Sequence, residues 1–358
     1  MINVTKSFLP SQEEYQAHLK SSWDKVWVTN RGELVKSLEN QIKSKFNISN
    51  MIATTNGTLP LQIAIKALQL KGEIITTPFS YIATASSIVW EGCTPVFVDI
   101  DEATFNIDAS KIEAQITDKT TGIIATHVFG NPCNITAIKN IANKYKLKVI
   151  YDAAHAFGVS YKEQSIFEYG DVSTCSFHAT KIFHTGEGGA MFTRNKMLHD
   201  ILSYHHNFGH NGPENFHGLG INAKMSEFQA AMGLTILPYF DKIFDRRQLL
   251  YNRYLSHLSK SKNLIFQKIK KHVIYNYAYM PVVFKNEKQI HMVKKALNKA
   301  DIFPRRYFYP ALNTVNYLSG QKMPIAESIA ERILCLPLYY DLTEGQVDVI
   351  CEIILKNT

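Results

Sequence analysis

The sequence predicts an α/β protein built on a mostly parallel sheet, and three observations support this fold class. Short apolar, β-rich runs recur up to about residue 200. Stretches with helical spacing separate these runs, as expected for crossover helices that cover a parallel sheet. The 358 residues are 46% hydrophobic and 20% charged, which is enough apolar material for a large buried core.

The individual elements follow from these patterns. The predicted strands of the first 200 residues are MIAT, EIIT, PVFVD, GIIATHV, KVIYD, VSTCSF and GAMFT. The predicted helices between them cover residues 58–70, 80–91, 134–146 and 196–207. Functional groups of such a sheet are expected at the strand ends.

The last third of the chain predicts a second, smaller unit. Residues 223–260 form a helical stretch interrupted near Pro238, and strand-like VIYNYAYMPVVF follows. Helices are predicted over residues 287–300 and 343–355. We therefore predict a large domain over residues 1–240 and a small C-terminal domain over residues 241–358.

Composition argues against nucleic acid and membrane partners. The net charge of +8 and the pI near 9.0 come from basic residues spread along the chain, with one dense patch at Lys268, Lys270 and Lys271. A polyanionic small substrate is equally compatible with this charge. No apolar run approaches the roughly 20 residues of a membrane span, and the five scattered cysteines predict reduced thiols in a cytoplasmic protein.

Two residues at predicted strand ends are candidates for covalent and electrostatic catalysis. Lys181 follows VSTCSF in a short loop before a Gly-rich turn, where an unprotonated amine could condense with an aldehyde. Asp152 ends KVIYD and could pair with a pyridine nitrogen, keeping it protonated. Taken alone, Lys181 could be a surface charge and Asp152 a helix N-cap.

Two turns supply candidate phosphate and ring contacts. Asn56-Gly57-Thr58 joins a strand to a helix, whose free N–H groups and the Thr58 hydroxyl could cradle a phosphate together with Ser176. Tyr81 lies in a turn that opens the next helix and could stack on a planar cofactor. Plain helix capping and core packing are the structural alternatives for these residues.

The order of these motifs resembles fold type I (aspartate aminotransferase-like) pyridoxal-phosphate (PLP) enzymes. More closely, it resembles the DegT/DnrJ/EryC1/StrS family of nucleotide-sugar aminotransferases. The resemblance runs from about residue 3 to the C-terminus and rests on NGTLPL, TTPFSYIAT, HVFGNPCN, DAAHAFG, SFHATK with its Gly-rich turn, and GLGINAKMSEFQAAMG. Two positions depart from the family pattern: its G-x-P-x-D motif ends here in Asn134, and a frequent arginine appears as Lys224.

The resemblance implies PLP as cofactor, with pyridoxamine phosphate as the form that carries the amino group. Lys181 matches the lysine linked to the cofactor, and Asp152 the partner of the ring nitrogen. The remaining family matches are Tyr81 for stacking, His155 beside the ring hydroxyl, Gly57, Thr58 and Ser176 at the phosphate, and Asn222 reaching the phosphate of a neighbouring subunit. A homodimer with shared active sites follows from that last match.

The implied reaction moves the amino group of L-glutamate to C4 of a nucleotide-linked 4-keto-6-deoxy sugar. The motif combination looks most like enzymes that act on dTDP-4-keto-6-deoxyglucose, with surface polysaccharide or O-antigen as the natural setting. Amination at C3 is the main alternative, although C3 enzymes more often have tyrosine where His178 stands. A sugar dehydratase would have histidine in place of Lys181, and a cofactor-binding regulator would be expected to lack this residue set or carry a DNA-reading module.

Sugar contacts are sought in two places. The segment PRRYFYPALN places Arg306 and Tyr309 where they could contact phosphates or sugar, with a polar interface between domains as the alternative. His178, His184 and His210 are further pocket candidates. None of these histidines has metal-ligand spacing.

Overall fold

The α/β fold class is confirmed by the structure, a computed structural model that describes residues 1–318 and 320–358. The helices are α1 (Gln12–Asp24), α2 (Glu33–Phe46), α3 (Leu59–Ala67), α4 (Ile82–Trp90), α5 (Ile135–Tyr145), α6 (Lys196–His205), α7 (Glu227–Ile236), α8 (Phe240–Leu258), α9 (Glu287–Lys299), α10 (Pro324–Arg332) and α11 (Glu344–Lys356). The strands are β1 (Ile2–Asn3), β2 (Met51–Thr54), β3 (Glu73–Thr76), β4 (Thr94–Phe97), β5 (Thr120–Thr126), β6 (Lys148–Asp152), β7 (Ser160–Tyr161), β8 (Gln164–Ser165), β9 (Val172–Ser176), β10 (Gly189–Phe192), β11 (Ile265–Phe266), β12 (Val273–Ile274), β13 (Met280–Val283), β14 (Ile302–Phe303) and β15 (Ile333–Leu336).

The central sheet contains all the strands predicted in the first 200 residues. Its order is β2-β10-β9-β6-β5-β3-β4, and β10 alone in this sheet runs antiparallel to its neighbours. Both faces are covered. Along β6, Val149 and Tyr151 join the core on one face, whereas Ile150 joins the core on the other. This double burial explains why the strands read as continuous apolar runs.

One edge of the sheet collects the strand ends that position the site. Strands β2, β6 and β9 are parallel, and they end there at Thr54, Asp152 and Ser176. Strand β10 begins between two of them, because Gly189 pairs with both Thr54 and Ser176. The loop from Ser176 to Gly189 therefore starts and finishes at this edge.

The C-terminal part has its own small antiparallel sheet, in the order β11-β13-β15. Residues of α8, α9 and α11 pack with it in one apolar cluster. Helix α8 begins in the core of the large sheet with Phe240 and Ile243 and continues into the C-terminal cluster from Leu250. The domain boundary between residues 240 and 241 remains a proposal. Strand β1, which belongs to the proposed large domain by sequence, pairs with β14 of the C-terminal part.

The structure differs from the sequence-based expectation in VIYNYAYMPVVF. Only its two ends are strands, β12 and β13, because the backbone turns at Tyr277, whose φ is 51°. Helices α1, α2 and α10 were outside the expected elements. In the described part of the chain, no helix has the length and apolar character needed to cross a bilayer.

Candidate active site

A cavity of about 280 Å³ opens at the carboxyl edge of the large sheet. Most of the residues predicted for the site line it, although they are far apart in sequence. They are Gly57, Thr58, Tyr81, Asp152, His155, Ser176, His178 and Lys181. The wall also includes Asn56, from the predicted phosphate turn, and residues that were not among the site candidates: Glu187, Tyr279, Tyr307 and Phe308.

Asp152 lies at the end of β6 and is only 6% exposed. Its Oδ2 accepts a hydrogen bond from the Thr84 hydroxyl at 2.6 Å, and its Oδ1 accepts one from the Ala154 N–H at 3.1 Å. Burial raises the pKa of this carboxyl above its usual value, while the two hydrogen bonds and the charge of Lys181 act in the opposite direction. Turns follow Asp152 instead of a helix, so it is not a helix N-cap.

Thr84 belongs to a row of hydroxyls that the sequence did not reveal. The Ser80 and Thr84 hydroxyls are 2.8 Å apart, and the Thr126 hydroxyl donates to Ser80 at 3.1 Å. All three residues are buried. This row fixes the orientation of the Asp152 carboxylate from beneath the cavity.

His155 presents a neutral ring to the cavity. Its Nδ1 accepts the Phe129 N–H at 3.2 Å, which assigns the ring proton to Nε2. Burial, and then the charge of Lys181, holds the pKa of this imidazole well below its usual value. The Phe308 ring stacks on the imidazole with centroids 5.5 Å apart. His155 is therefore a fixed hydrogen-bond donor.

Lys181 lies in the loop that joins β9 to β10. Its amine donates to the phenolic oxygen of Tyr279 at 3.0 Å, and its backbone N–H donates to the His178 carbonyl at 2.9 Å. The lysine is partly buried, so its amine faces the cavity rather than bulk solvent. Tyr279 lies 98 positions further along the chain, in the C-terminal part.

The turn after β2 and the end of β9 form a narrow cradle. A Cβ atom on Gly57 would lie 2.6 Å from the Cβ of Ser176, so only glycine fits there. The sequence predicted free N–H groups at this helix start. The structure differs, because the Asn56 side chain accepts the N–H groups of Thr58 and Leu59, both at 2.9 Å. The hydroxyls of Thr58 and Ser176 still line the cavity.

Four side chains form the outer wall beside Lys181. His178 Nδ1 is 2.8 Å from the Thr180 hydroxyl, and its Nε2 is 3.6 Å from a Glu187 carboxylate oxygen. Tyr81 stands at the start of α4 and is 61% exposed, so one ring face is open to a ligand. These groups can contact the outer part of a bound molecule.

Other predicted residues lie away from this cavity. Asn222 is exposed and accepts a hydrogen bond from Lys224 at 2.7 Å. Arg306 donates to Glu287 at 3.0 Å and packs on the Tyr309 ring, and neither Arg306 nor Tyr309 is part of the cavity lining. Their neighbours Tyr307 and Phe308 occupy the wall instead.

The other two histidine candidates are also outside the cavity lining. His184 is buried, and its Nε2 lies 2.9 Å from the Phe8 carbonyl oxygen. His210 packs on Phe216 with ring centroids 4.6 Å apart. Both contacts fit structural roles.

Comparisons with known proteins identify relatives along almost the whole chain. A dTDP-4-amino-4,6-dideoxy-D-glucose transaminase of Shigella dysenteriae is 39% identical over 362 residues, covering 99% of this chain and 98% of the relative. A GDP-perosamine synthase of Escherichia coli O157:H7 is 32% identical over 342 residues, covering 92% and 91%. The crystal structure of DesI in the presence of its TDP-sugar product superposes with a TM-score of 0.94 at 30% identity, covering 100% of this chain and 93% of that chain.

The family assignment follows from the sequence match together with the fold. Residues 10–355 match the sequence profile of the DegT/DnrJ/EryC1/StrS aminotransferase family. This range includes the strand ends, the Lys181 loop and the C-terminal sheet. The chain belongs to the DegT/DnrJ/EryC1/StrS aminotransferase family.

Proposed function

We propose that this aminotransferase uses PLP to transfer the amino group of L-glutamate to C4 of a nucleotide-linked 4-keto-6-deoxy sugar. The preferred substrate is dTDP-4-keto-6-deoxy-D-glucose, and the product is dTDP-4-amino-4,6-dideoxy-D-glucose. The observation that carries the proposal is the convergence of Lys181, Asp152 and the Gly57–Ser176 cradle on one cavity. The transaminase of 39% identity supports the choice of sugar.

The cavity residues fit the chemical groups of PLP. The close approach of Gly57 to Ser176 brings the Ser176 and Thr58 hydroxyls to one part of the cavity lining, and this arrangement suits a phosphate. The buried Asp152 carboxylate suits a protonated ring nitrogen, and the open face of Tyr81 suits stacking. When bound, PLP supplies an aldehyde that accepts an amino group and a ring that withdraws electrons from the reacting carbon.

The side chains then have separate tasks. Asp152 holds the proton on the ring nitrogen, and Thr84 orients the carboxylate that does so. His155 donates its Nε2 proton to the ring hydroxyl. The Lys181 amine removes the proton from the α-carbon of L-glutamate and, in the second half of the cycle, returns a proton to C4 of the sugar. His178 is proposed to contact the sugar, because it lines the same cavity.

We further propose a homodimer in which Asn222 of the partner subunit reaches the phosphate. Asn222 is exposed and absent from the lining of its own cavity, and exposed Phe208 and Phe216 lie on the same loop. Mixing inactive Lys181→Ala with weakened Asn222→Ala protein tests this arrangement. A mixed dimer contains one intact site, so recovered activity supports sharing, and activity no higher than that of the separate variants contradicts it.

The substrate test uses protein purified with PLP. L-Glutamate is added first, and cofactor absorbance should change as the amino group is taken up. The keto sugar is added next, and the position of the new amine is read by nuclear magnetic resonance. Lys181→Ala is the control and should give no product. No covalent link between Lys181 and PLP in the wild type would refute the proposed chemistry.

A second candidate is a different sugar substrate. The GDP-perosamine synthase of 32% identity favours comparing dTDP-linked with GDP-linked 4-keto-6-deoxy sugars. Amination at C3 is distinguished in the same product spectrum. A dehydratase would release a hydroxyl group without forming an amino sugar, and a regulator would bind the ligands without turnover. We propose a cytoplasmic location, since all five cysteines are free thiols, and a role in surface polysaccharide synthesis.

A further inference from the structure

Tyr279 is the side chain that holds the Lys181 amine in place. The lysine donates to its phenolic oxygen at 3.0 Å, and Tyr279 is only 9% exposed. The ring packs edge-on against His155 at 4.9 Å and against Tyr307 at 5.9 Å. The phenol therefore has little freedom to leave the lysine.

The backbone before Tyr279 is fixed by buried polar groups on both sides. The guanidinium of Arg247, from α8, donates to the Tyr277 carbonyl at 3.0 Å and the Ala278 carbonyl at 2.7 Å. On the other side, the Asn276 amide donates to the His155 carbonyl at 2.8 Å. It also donates to the Phe157 carbonyl at 2.9 Å, in the turn after β6.

These groups are costly to bury. Arg247 is 5% exposed and Asn276 is fully buried. Burial lowers the pKa of Arg247 to about 10, and the groups that oppose this shift are the phenols of Tyr279 and Tyr275 rather than a carboxylate. A buried guanidinium that donates to two neighbouring backbone carbonyls restrains the conformation of that segment. Here that conformation is the turn that aims Tyr279 at Lys181.

We propose that Tyr279 is a positioning residue for the Lys181 amine during amino transfer, and that Arg247 holds Tyr279 in that position. The inference rests on the proposed function. The lysine must be free of the cofactor in part of the cycle, and a flexible amine would then sample many rotamers. The phenol oxygen restrains the amine near the reacting carbon. This restraint should raise the rate of amino transfer and leave the affinity for the substrate nearly unchanged.

The first test compares Tyr279→Phe with Tyr254→Phe. Both remove one hydrogen-bonded phenolic oxygen from a buried ring, but the Tyr254 hydroxyl donates to the Pro337 carbonyl at 2.9 Å, and Tyr254 is not part of the cavity lining. In a single-turnover reaction with L-glutamate, Tyr279→Phe should lower the rate constant about 10- to 100-fold, with KM changed less than about threefold. Tyr254→Phe should change the rate constant less than about threefold.

The second readout does not depend on turnover. Protein in the pyridoxamine phosphate form is acetylated with acetic anhydride from about pH 6 to about pH 11, and acetylated Lys181 is quantified by peptide mass spectrometry. The phenol oxygen binds an ammonium more strongly than an amine, so its loss should move the acetylation profile about one unit to lower pH. Lys181 also faces Asp152, His155 and Cys175, which are unchanged in both variants.

Arg247→Lys is the second variant, because it leaves the Tyr279 ring intact. One ammonium cannot reproduce the two guanidinium bonds, so the profile should move in the same direction by a smaller amount. An unchanged rate constant and an unchanged acetylation profile in Tyr279→Phe would overturn the inference. If Tyr279→Phe has an effect but Arg247→Lys has none, Tyr279 keeps its positioning role and the role of Arg247 is excluded. Failure of the proposed function is separate: borohydride reduction would then leave no PLP on Lys181 in the wild type.

Discussion

Replacing Gly57 with alanine tests whether the cradle is built by close approach of two strand ends. The new Cβ would lie 2.6 Å from the Ser176 Cβ and 2.9 Å from the Ser176 Cα. The second contact is with backbone and cannot be relieved by a side-chain rotation. The turn after β2 and the end of β9 would have to separate by roughly 0.4–0.8 Å for the Cβ–Cβ contact to reach 3.0–3.4 Å.

This separation is opposed by β10, whose residue Gly189 pairs with both Thr54 and Ser176. We expect Gly57→Ala to lower the free energy of unfolding by about 1–3 kcal/mol, the usual cost of overpacking. Displacing the cradle by this distance should weaken PLP binding about 10-fold or more. Adding Ser176→Ala should not rescue the variant, because the Ser176 Cβ and Cα remain.

The assay combines urea unfolding with titration of PLP, followed by absorbance. Gly345→Ala is the matched control, and it stands in the first turn of α11. Apart from its chain neighbours and the backbone of its own helix, no atom of the described residues lies within 4 Å of the position that its new methyl group would take. We expect that control to bind PLP normally and to gain about 0.5–1 kcal/mol. Wild-type PLP affinity and stability in Gly57→Ala would refute the close-approach argument.

Three further perturbations have expected outcomes. Thr84→Val removes the 2.6 Å bond to Asp152, so the glutamate half-reaction should slow about 10-fold, and an unchanged rate would contradict the orienting role. Glu227→Gln weakens the cap that its carboxylate provides for the Leu34 N–H at 2.8 Å, and urea unfolding should show a loss of about 1–2 kcal/mol. Burial lowers the pKa of His206 from 6.5 to about 4, so as the pH falls the unfolded chain binds this proton before the folded chain does. The free energy of unfolding should therefore decrease between pH 6.5 and 4, by about 2 kcal/mol at pH 5. His206→Gln should remove that part of the pH dependence, and an identical slope in the variant would exclude His206 as its source.

The central sheet could be predicted because each strand is buried on both faces. Burial on both faces gives continuous apolar runs such as KVIYD and GAMFT, which can be recognised in the local sequence. Polar residues just beyond these runs indicate the functional edge of the sheet. The family resemblance then identified Lys181 and Asp152. Both residues line the cavity in the structure, while their catalytic roles remain predictions.

Contacts between residues far apart in sequence have no recognisable local pattern and were not predicted. Thr84 reaches Asp152 over 68 positions, and Tyr279 reaches Lys181 over 98 positions. In PRRYFYPALN, the charge of Arg306 favours a ligand contact at the sequence level. In the structure, Arg306 donates to Glu287 and to the carbonyls of Ala330 and Glu331 at the end of α10. Competition for a charged side chain by a distant helix is a tertiary effect, which spacing along the chain does not encode.

The place of β10 in the sheet has a consequence for how the chain is assembled during synthesis. Strand β2 leaves the ribosome well before β10, which must then insert between β2 and β9. Before β10 inserts, β2 and β9 have no strand between them. The two halves of the cradle, the turn after β2 and the end of β9, are then far apart in sequence and are not joined by strand pairing. A nascent chain ending before residue 189 therefore lacks the strand that joins them. The proposed cofactor would then bind tightly only after the sheet is complete, and its binding would stabilise only the finished sheet.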